Sequence, residues 1–357
     1  MIIDCHGHYT TSSPKLQAFR DEQLRLFSDG KDTSLAKIAA ISDDEIIDSI
    51  ENNQLKLIKE RGGDLTIFSP KASAMGQHQA DLKTSIAWAR ESNDLIHRVC
   101  ELFPKNFAPG CQLPQEGGKS LGPAIDELRR CVEMDFVGFN LNPDPSGGHW
   151  TGKPLTDPYW YPLYEVMVEL DVPAMIHVSG SCNECHHTTG AHYINGDTSA
   201  FMQLVQGDLF SEFPDLRFII PHGGGAIPYH WGRYRGLAQM LGKPEPKEYI
   251  MKNVFFDTCV YHKPGVELLL SVIGTDNVLF GSEMLGAVKG IDPNTGEYFD
   301  DTKKYIDQLG LTSVDLEKLF EGNARRVFPR LDKRLNDLGL YASHGISSAT
   351  PRAARQS

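Results

Sequence analysis

Eight short apolar runs, each followed by a stretch of helical periodicity, constrain the fold of this chain more than any other feature. The first four are MIIDCH (1–6), LTIFSP (65–70), FAPGCQL (107–113) and FVGFNLN (136–142). The others are PAMIHVS (173–179), LRFIIPH (216–222), VFFDT (254–258) and NVLFGS (277–282). They are apolar almost throughout rather than alternating, the pattern of strands buried on both faces of a parallel sheet. Between them, segments such as 81–103, 125–134, 162–170 and 199–210 space their apolar residues as helices do. Eight strands alternating with helices predict a (β/α)₈ TIM barrel. A doubly wound open sheet would favour a glycine-rich fingerprint after the first strand, and none stands there.

Residues 14–60 read as a helical insertion after the first strand, and LEKLFEGNARRVFP (316–329) as a closing helix. On this reading 1–335 form a single domain, while the small, polar, aperiodic residues of 340–357 are expected to be a disordered tail. The net charge of −12 over 357 residues argues against non-specific nucleic-acid binding, which needs a basic footprint. No run of about eighteen apolar residues exists to cross a membrane, and no basic segment leads into an apolar one at the N-terminus. Seven scattered cysteines, several of them inside apolar runs, read as reduced core thiols. A cytoplasmic protein without nucleic-acid or membrane partners is expected.

Active sites of such barrels sit at the C-terminal ends of the strands. There the first run ends in His6-Gly7-His8, the fifth carries His177 and the sixth His222. The seventh ends in Asp257-Thr258, and the eighth in Ser282-Glu283. An isolated His-x-His near a terminus is ordinarily decoration. Several strands delivering imidazole or carboxylate to one rim are not. Residues 6 and 8 of an extended strand point to one side, and Gly7 lets the backbone pass close to an ion. Neutral imidazoles and carboxylates suit Zn²⁺, with Mn²⁺ or Fe²⁺ possible from the same donors. His6, His8 and His177 are the expected nitrogen ligands, and Glu283 completes or flanks the set. Asp257 is a candidate to orient a ligand.

A second polar cluster comes after the fifth run: Cys182, Cys185, His186, His187 and His192. It matches the C-x-x-C-H haem pattern formally, but it is read as a polar loop of the active site. A structural zinc site would need four ligands, and there is no second C-x-x-C.

These residues carry a resemblance. His6-Gly7-His8, His177, PHGGG, FFDT, NVLFGSE and the terminal GNARRVFP resemble the amidohydrolase superfamily, in the branch that includes aminocarboxymuconate-semialdehyde decarboxylase. It spans roughly residues 1–330. That branch usually ends its eighth strand in Gly-Ser/Thr-Asp, whereas this chain has Gly281-Ser282-Glu283. With FSPKASAMGQH (68–78) and HVSGSCNECHHTTGAHYINGD (177–197), this is similar to the branch's hydratases of protocatechuate 4,5-cleavage. The resemblance implies zinc and water addition to a carbon–carbon double bond, with decarboxylation of a muconate-type or aromatic acid as the alternative.

Hydration of a conjugated alkene needs a base for water and an acid for carbon. Glu283 is expected as metal ligand and general base, with His222 as the opposing acid/base. A polycarboxylate substrate needs cationic or hydrogen-bonding clamps. Lys71, Ser73, Asn142 and Arg233 are the candidates, and Trp150 and Tyr261 could shape the pocket. The branch also implies a homo-oligomer, with the helical insertion a candidate contact.

Overall fold

A computed structural model describes residues 1–341. The tail expected over 340–357 lies almost wholly outside the described residues. Each apolar run contains a strand: β1 (Ile3–His8), β2 (Leu65–Ser69), β3 (Phe107–Gln112), β4 (Gly138–Leu141), β5 (Ala174–Ile176), β6 (Phe218–Ile220), β7 (Val254–Asp257) and β8 (Val278–Leu279). Each pairs in parallel with its successor in sequence, in the order β1 to β8. The last strand meets the first: Cys5 N–H donates to the Phe280 carbonyl and Glu283 N–H to that of His6, each at 2.8 Å. The carboxylate of Asp4 ties the same seam by accepting from Ser282. This is a TIM barrel.

The strands are buried along their whole length, which explains why their sequences do not alternate. Alternate residues such as Ile3, Leu65, Val137, Ile219 and Phe255 fill the barrel interior, which Val327, Phe328 and Leu331 close from below. The opposite faces pack under the helices, where Phe68, Phe107, Phe136, Phe218 and Phe256 join the larger outer core.

Between β1 and β2 run α1 (Pro14–Ser28), α2 (Asp43–Asn52) and α3 (Gln54–Glu60). Local signals set their starts: Ser13 caps α1 ahead of Pro14, and Ser42 forms a reciprocal capping box with Glu45 on α2. Next come α4 (Leu82–Leu102), α5 (Gly122–Glu133), α6 (Tyr161–Leu170) and α7 (Gly190–Gln206). The expected closing helix is broken into a helix over Ser313–Glu317, a π-helical turn over Lys318–Gly322 and further helix from Asn323.

Two local features position the site. The β1–β2 register shifts between Asp4 and Gly7. Cys5 therefore packs in the barrel interior, while its neighbour His6 faces the same centre as His8. Gly7 is needed here, and the reason is the neighbouring strand. A Cβ on it would fall 2.2 Å from Thr66 Cγ2.

Candidate metal centre

His6, His8, His177, His222 and Glu283 arrive at the barrel mouth from β1 and from the segments after β5, β6 and β8, and all five are buried. His177 and Glu283 sit just past strands that end earlier than their apolar runs do. His222 (φ 52°), Tyr261 (φ 64°) and Glu283 (φ 48°) all adopt the left-handed region that non-glycine residues avoid. Three such residues after consecutive strands are the kind of backbone strain that clusters at functional sites.

Each imidazole is anchored through Nδ1. His6 Nδ1 lies 2.7 Å from Asp257 Oδ2 and His222 Nδ1 2.9 Å from Asp197 Oδ2. His177 Nδ1 is 2.8 Å from the Val178 carbonyl. His8 Nδ1 is 2.8 Å from Ser69 Oγ, which donates its own proton to the Gly7 carbonyl and receives the Asn140 amide. Acceptors at every Nδ1 place a ring proton there, which in a neutral ring leaves the lone pair on Nε2. The four Nε2 atoms thus point inward, and in a neutral ring they do so as acceptors. Those of His6 and His8 are 3.1 Å apart, and those of His177 and His222 are buried with no hydrogen-bond partner.

Lone pairs facing one another without a proton between them repel, and a divalent cation relieves this. Ligand atoms of His6, His177, His222 and Glu283 lie within 4.8 Å of one another, and His8 joins them through His6. Such a set of imidazole nitrogens and carboxylate oxygen fits zinc or manganese. The charge balance agrees. Asp197, Asp257 and Glu283 are buried and pair with histidine, and among the described residues none pairs with Lys or Arg.

Electrostatics divides the histidines. Burial pushes His8 and His177 well below the usual range, which keeps them neutral and able to ligate. Burial also opposes charge on His222, but the Asp197 carboxylate, with Glu283 and Asp257, carries it up to about 9. Burial raises Asp197 to about 7 despite the nearby imidazole. Burial likewise disfavours charge on Asp257, yet its bond with His6 holds it below the ordinary value.

Glu283 is held as tightly. Tyr261 Oη donates to its Oε2 at 2.5 Å, Cys259 Sγ lies 3.6 Å from the same oxygen, and His222 Nε2 is 3.9 Å away. Tyr193 packs edge-on against His177, with ring centroids 4.9 Å apart, and stacks on His222 at 5.3 Å.

The remaining sequence candidates scatter. Asn142 is fully buried, its side chain spent on Gln77 and on the Asp144 backbone. Ser73 accepts through its carbonyl from Gly180 and Ser179. Lys71 is exposed just after β2, and Arg233 is exposed in the helix Trp231–Met240. Trp150 is half-buried at φ 51°. All seven cysteines are free, with Cys182 and Cys185 exposed.

The polar stretch read as a loop over 181–192 is a loop only as far as Thr189, because α7 begins at Gly190, nine residues before the helical segment expected from periodicity. That early start carries Tyr193 and Asp197 into the centre, and the sequence reading named neither. Their i, i+4 spacing, which puts both on one helical face, was the available signal.

Comparison with known proteins agrees with the geometry. The family model described as amidohydrolase matches residues 3–330. The chain is 60% identical over 341 residues to the 2-keto-4-carboxy-3-hexenedioate hydratase of Sphingobium sp. strain SYK-6, covering 95% of this chain and 99% of that protein. The crystal structure of 4-oxalomesaconate hydratase from Rhodopseudomonas palustris superposes with a TM-score of 0.87 at 54% identity, over 95% of this chain and 99% of that one. A Polaromonas dihydroxybenzoic acid decarboxylase solved with bound manganese shares the fold, with a TM-score of 0.68 at 21% identity over 94% and 97%. The chain is an enzyme and belongs to the amidohydrolase family.

Proposed function

We propose that this enzyme is a zinc-dependent hydratase of 4-oxalomesaconate. It would add water to the carbon–carbon double bond to give 4-carboxy-4-hydroxy-2-oxoadipate in protocatechuate 4,5-cleavage. The observation that carries the reading is the 60% identity to the Sphingobium hydratase along 95% of this chain. His6, His8, His177 and Glu283 would hold the metal, and manganese would suit the same donors. A divalent cation there supplies Lewis acidity towards an oxygen atom.

The chain's own residues then divide the proton work. In 2-keto-4-carboxy-3-hexenedioate, the double-bond isomer for which the Sphingobium relative is named, the double bond is conjugated to the 2-keto group, so water oxygen adds at C4 and negative charge spreads onto the keto oxygen. Glu283 takes the proton that water loses. His222, held by Asp197, faces Glu283 at 3.9 Å and delivers a proton to C3. One O–H bond of water and the π bond between C3 and C4 break, a C–O and a C–H bond form, the proton gained by Glu283 replaces the one lost by His222, and no redox partner is needed. Tyr193 walls the site beside both His177 and His222.

A second reading, decarboxylation, draws on the 26% identity to a gamma-resorcylate decarboxylase of Polaromonas over 302 residues. One assay separates the two. With the unsaturated keto acid, loss of its ultraviolet absorbance without CO₂ release supports hydration, and stoichiometric CO₂ sinks it. No helix among the described residues is long and apolar enough to cross a membrane, in keeping with the proposed cytoplasmic setting. The proposed homo-oligomer is checked by light scattering on the eluting enzyme.

A further inference from the structure

Beside the metal centre, between α1, α4 and the ends of β1 and β2, lies a cavity of about 130 Å³. Tyr9 and Thr10 enter it from just past His8, and Lys71 from two residues past Ser69, the partner of His8. Leu16 of α1 and Trp88 of α4 supply apolar walls, and Ser92 of α4 also lines it. Three features mark it as a place for an anion rather than a packing defect.

The hydroxyls of Ser92 and Thr10 are both buried and have no hydrogen-bond partner, and Ser92 is only 2% exposed. A buried polar group without a partner costs roughly 1–3 kcal/mol, so two on one cavity indicate a polar occupant. The Lys71 ammonium makes no hydrogen bond or ion pair among the described residues. Against Trp88 lies a second cation. Arg20 of α1 is 3% exposed, and its guanidinium stands 5.2 Å from the Trp88 ring centroid. Arg20 donates to the Gly76 carbonyl at 2.9 Å and to Gln79 Oε1 at 3.3 Å, both neutral acceptors, and among the described residues it meets no carboxylate. One cation on the cavity wall and another against its Trp88 thus meet no carboxylate among the described residues, in a chain whose net charge is −12. The space suffices for a carboxylate-bearing arm, since one water needs only about 10–15 Å³.

We propose that this cavity is a carboxylate subsite, in which one acid group of a polycarboxylic substrate pairs with Lys71 and accepts from the hydroxyls of Ser92 and Thr10. The inference rests on the hydratase reading for its substrate class, and it gives the helical insertion a role in recognition through α1.

The test uses the metal-loaded enzyme and two unreactive probes in calorimetric titration. These are propane-1,2,3-tricarboxylate and glutarate, the same chain without its central acid. Wild type should prefer the tricarboxylate by about tenfold or more, the scale of one hydrogen-bonded charge pair. Lys71→Met and the cavity-filling Ser92→Leu should each reduce that preference to near parity. Lys71 is exposed, so its variant remains decisive if Ser92→Leu fails to fold. No preference in wild type, or a preference that survives Lys71→Met, overturns the subsite. If wild type binds with this preference yet does not hydrate the unsaturated keto acid, the hydratase reading fails and the subsite stands.

Discussion

Asp197 Oδ2 lies 2.9 Å from His222 Nδ1, so the imidazole facing Glu283 is oriented by a residue from a different element, α7. The contact fixes the tautomer and raises the basicity of His222 together. Asp197→Asn should therefore lower turnover by about 10–100-fold with metal content unchanged. It should also shift the pH profile, and the sign is set by what remains. The Asp197 carboxylate is the leading influence holding His222 at about 9, and without it burial favours the neutral ring. The limb on which His222 loses its proton should move to lower pH. An unshifted profile would show that Asp197 serves the fold alone.

Glu283→Gln keeps the size of the side chain and its contact with Tyr261 but removes a base. Turnover should fall about 10²–10⁴-fold, the usual worth of one positioned acid or base. Because Glu283 is also proposed as a ligand, metal content by atomic emission must be read beside the rate. Near-normal turnover with normal metal would eliminate Glu283 as the base.

Chelation should both inactivate and destabilise the enzyme. With the ion removed, the inward Nε2 atoms of four histidines are left buried beside three carboxylates. An ion bound at about 1,000 times its Kd contributes about 4 kcal/mol. Its removal should lower Tm by roughly 5–10 °C, and Zn²⁺ or Mn²⁺ should restore it. A melting curve indifferent to chelator would argue that no ion belongs there.

Gly7→Ala tests the packing of the first strand. The added methyl would overlap Thr66 Cγ2 at 2.2 Å and press on the Ile67 carbonyl at 3.3 Å. Overpacking of this kind costs about 1–3 kcal/mol, visible as a lower denaturation midpoint. Thr66→Ser in the same chain removes the clashing methyl and should recover part of the loss. Equal stability of the single and double variants would place the strain elsewhere.

Much of this enzyme was legible in its residues because the signals are local. Strands buried on both faces must be apolar throughout, so eight runs announced eight parallel strands. Residues at strand ends are fixed by the strands before them, so His6, His8, His177, His222 and Glu283 could be gathered at one mouth from sequence order alone.

Features that arise from packing between elements were not legible. Periodicity placed the start of α7 nine residues late, because its first turns, GAHYINGD, are mostly polar or small, with Tyr193 and Ile194 too few to carry an apolar signal. They are held by contacts with the centre instead, and with them came Tyr193 and Asp197. Position after a strand suggested Asn142 as readily as Lys71, yet tertiary packing consumed the Asn142 amide and left the Lys71 ammonium free beside a cavity. The sequence by itself determined the barrel and its donor atoms. The orientation of each donor, the reason Gly7 must be glycine and the cavity roofed by α1 were decided only in three dimensions, because each depends on atoms brought close by chain segments far apart in sequence.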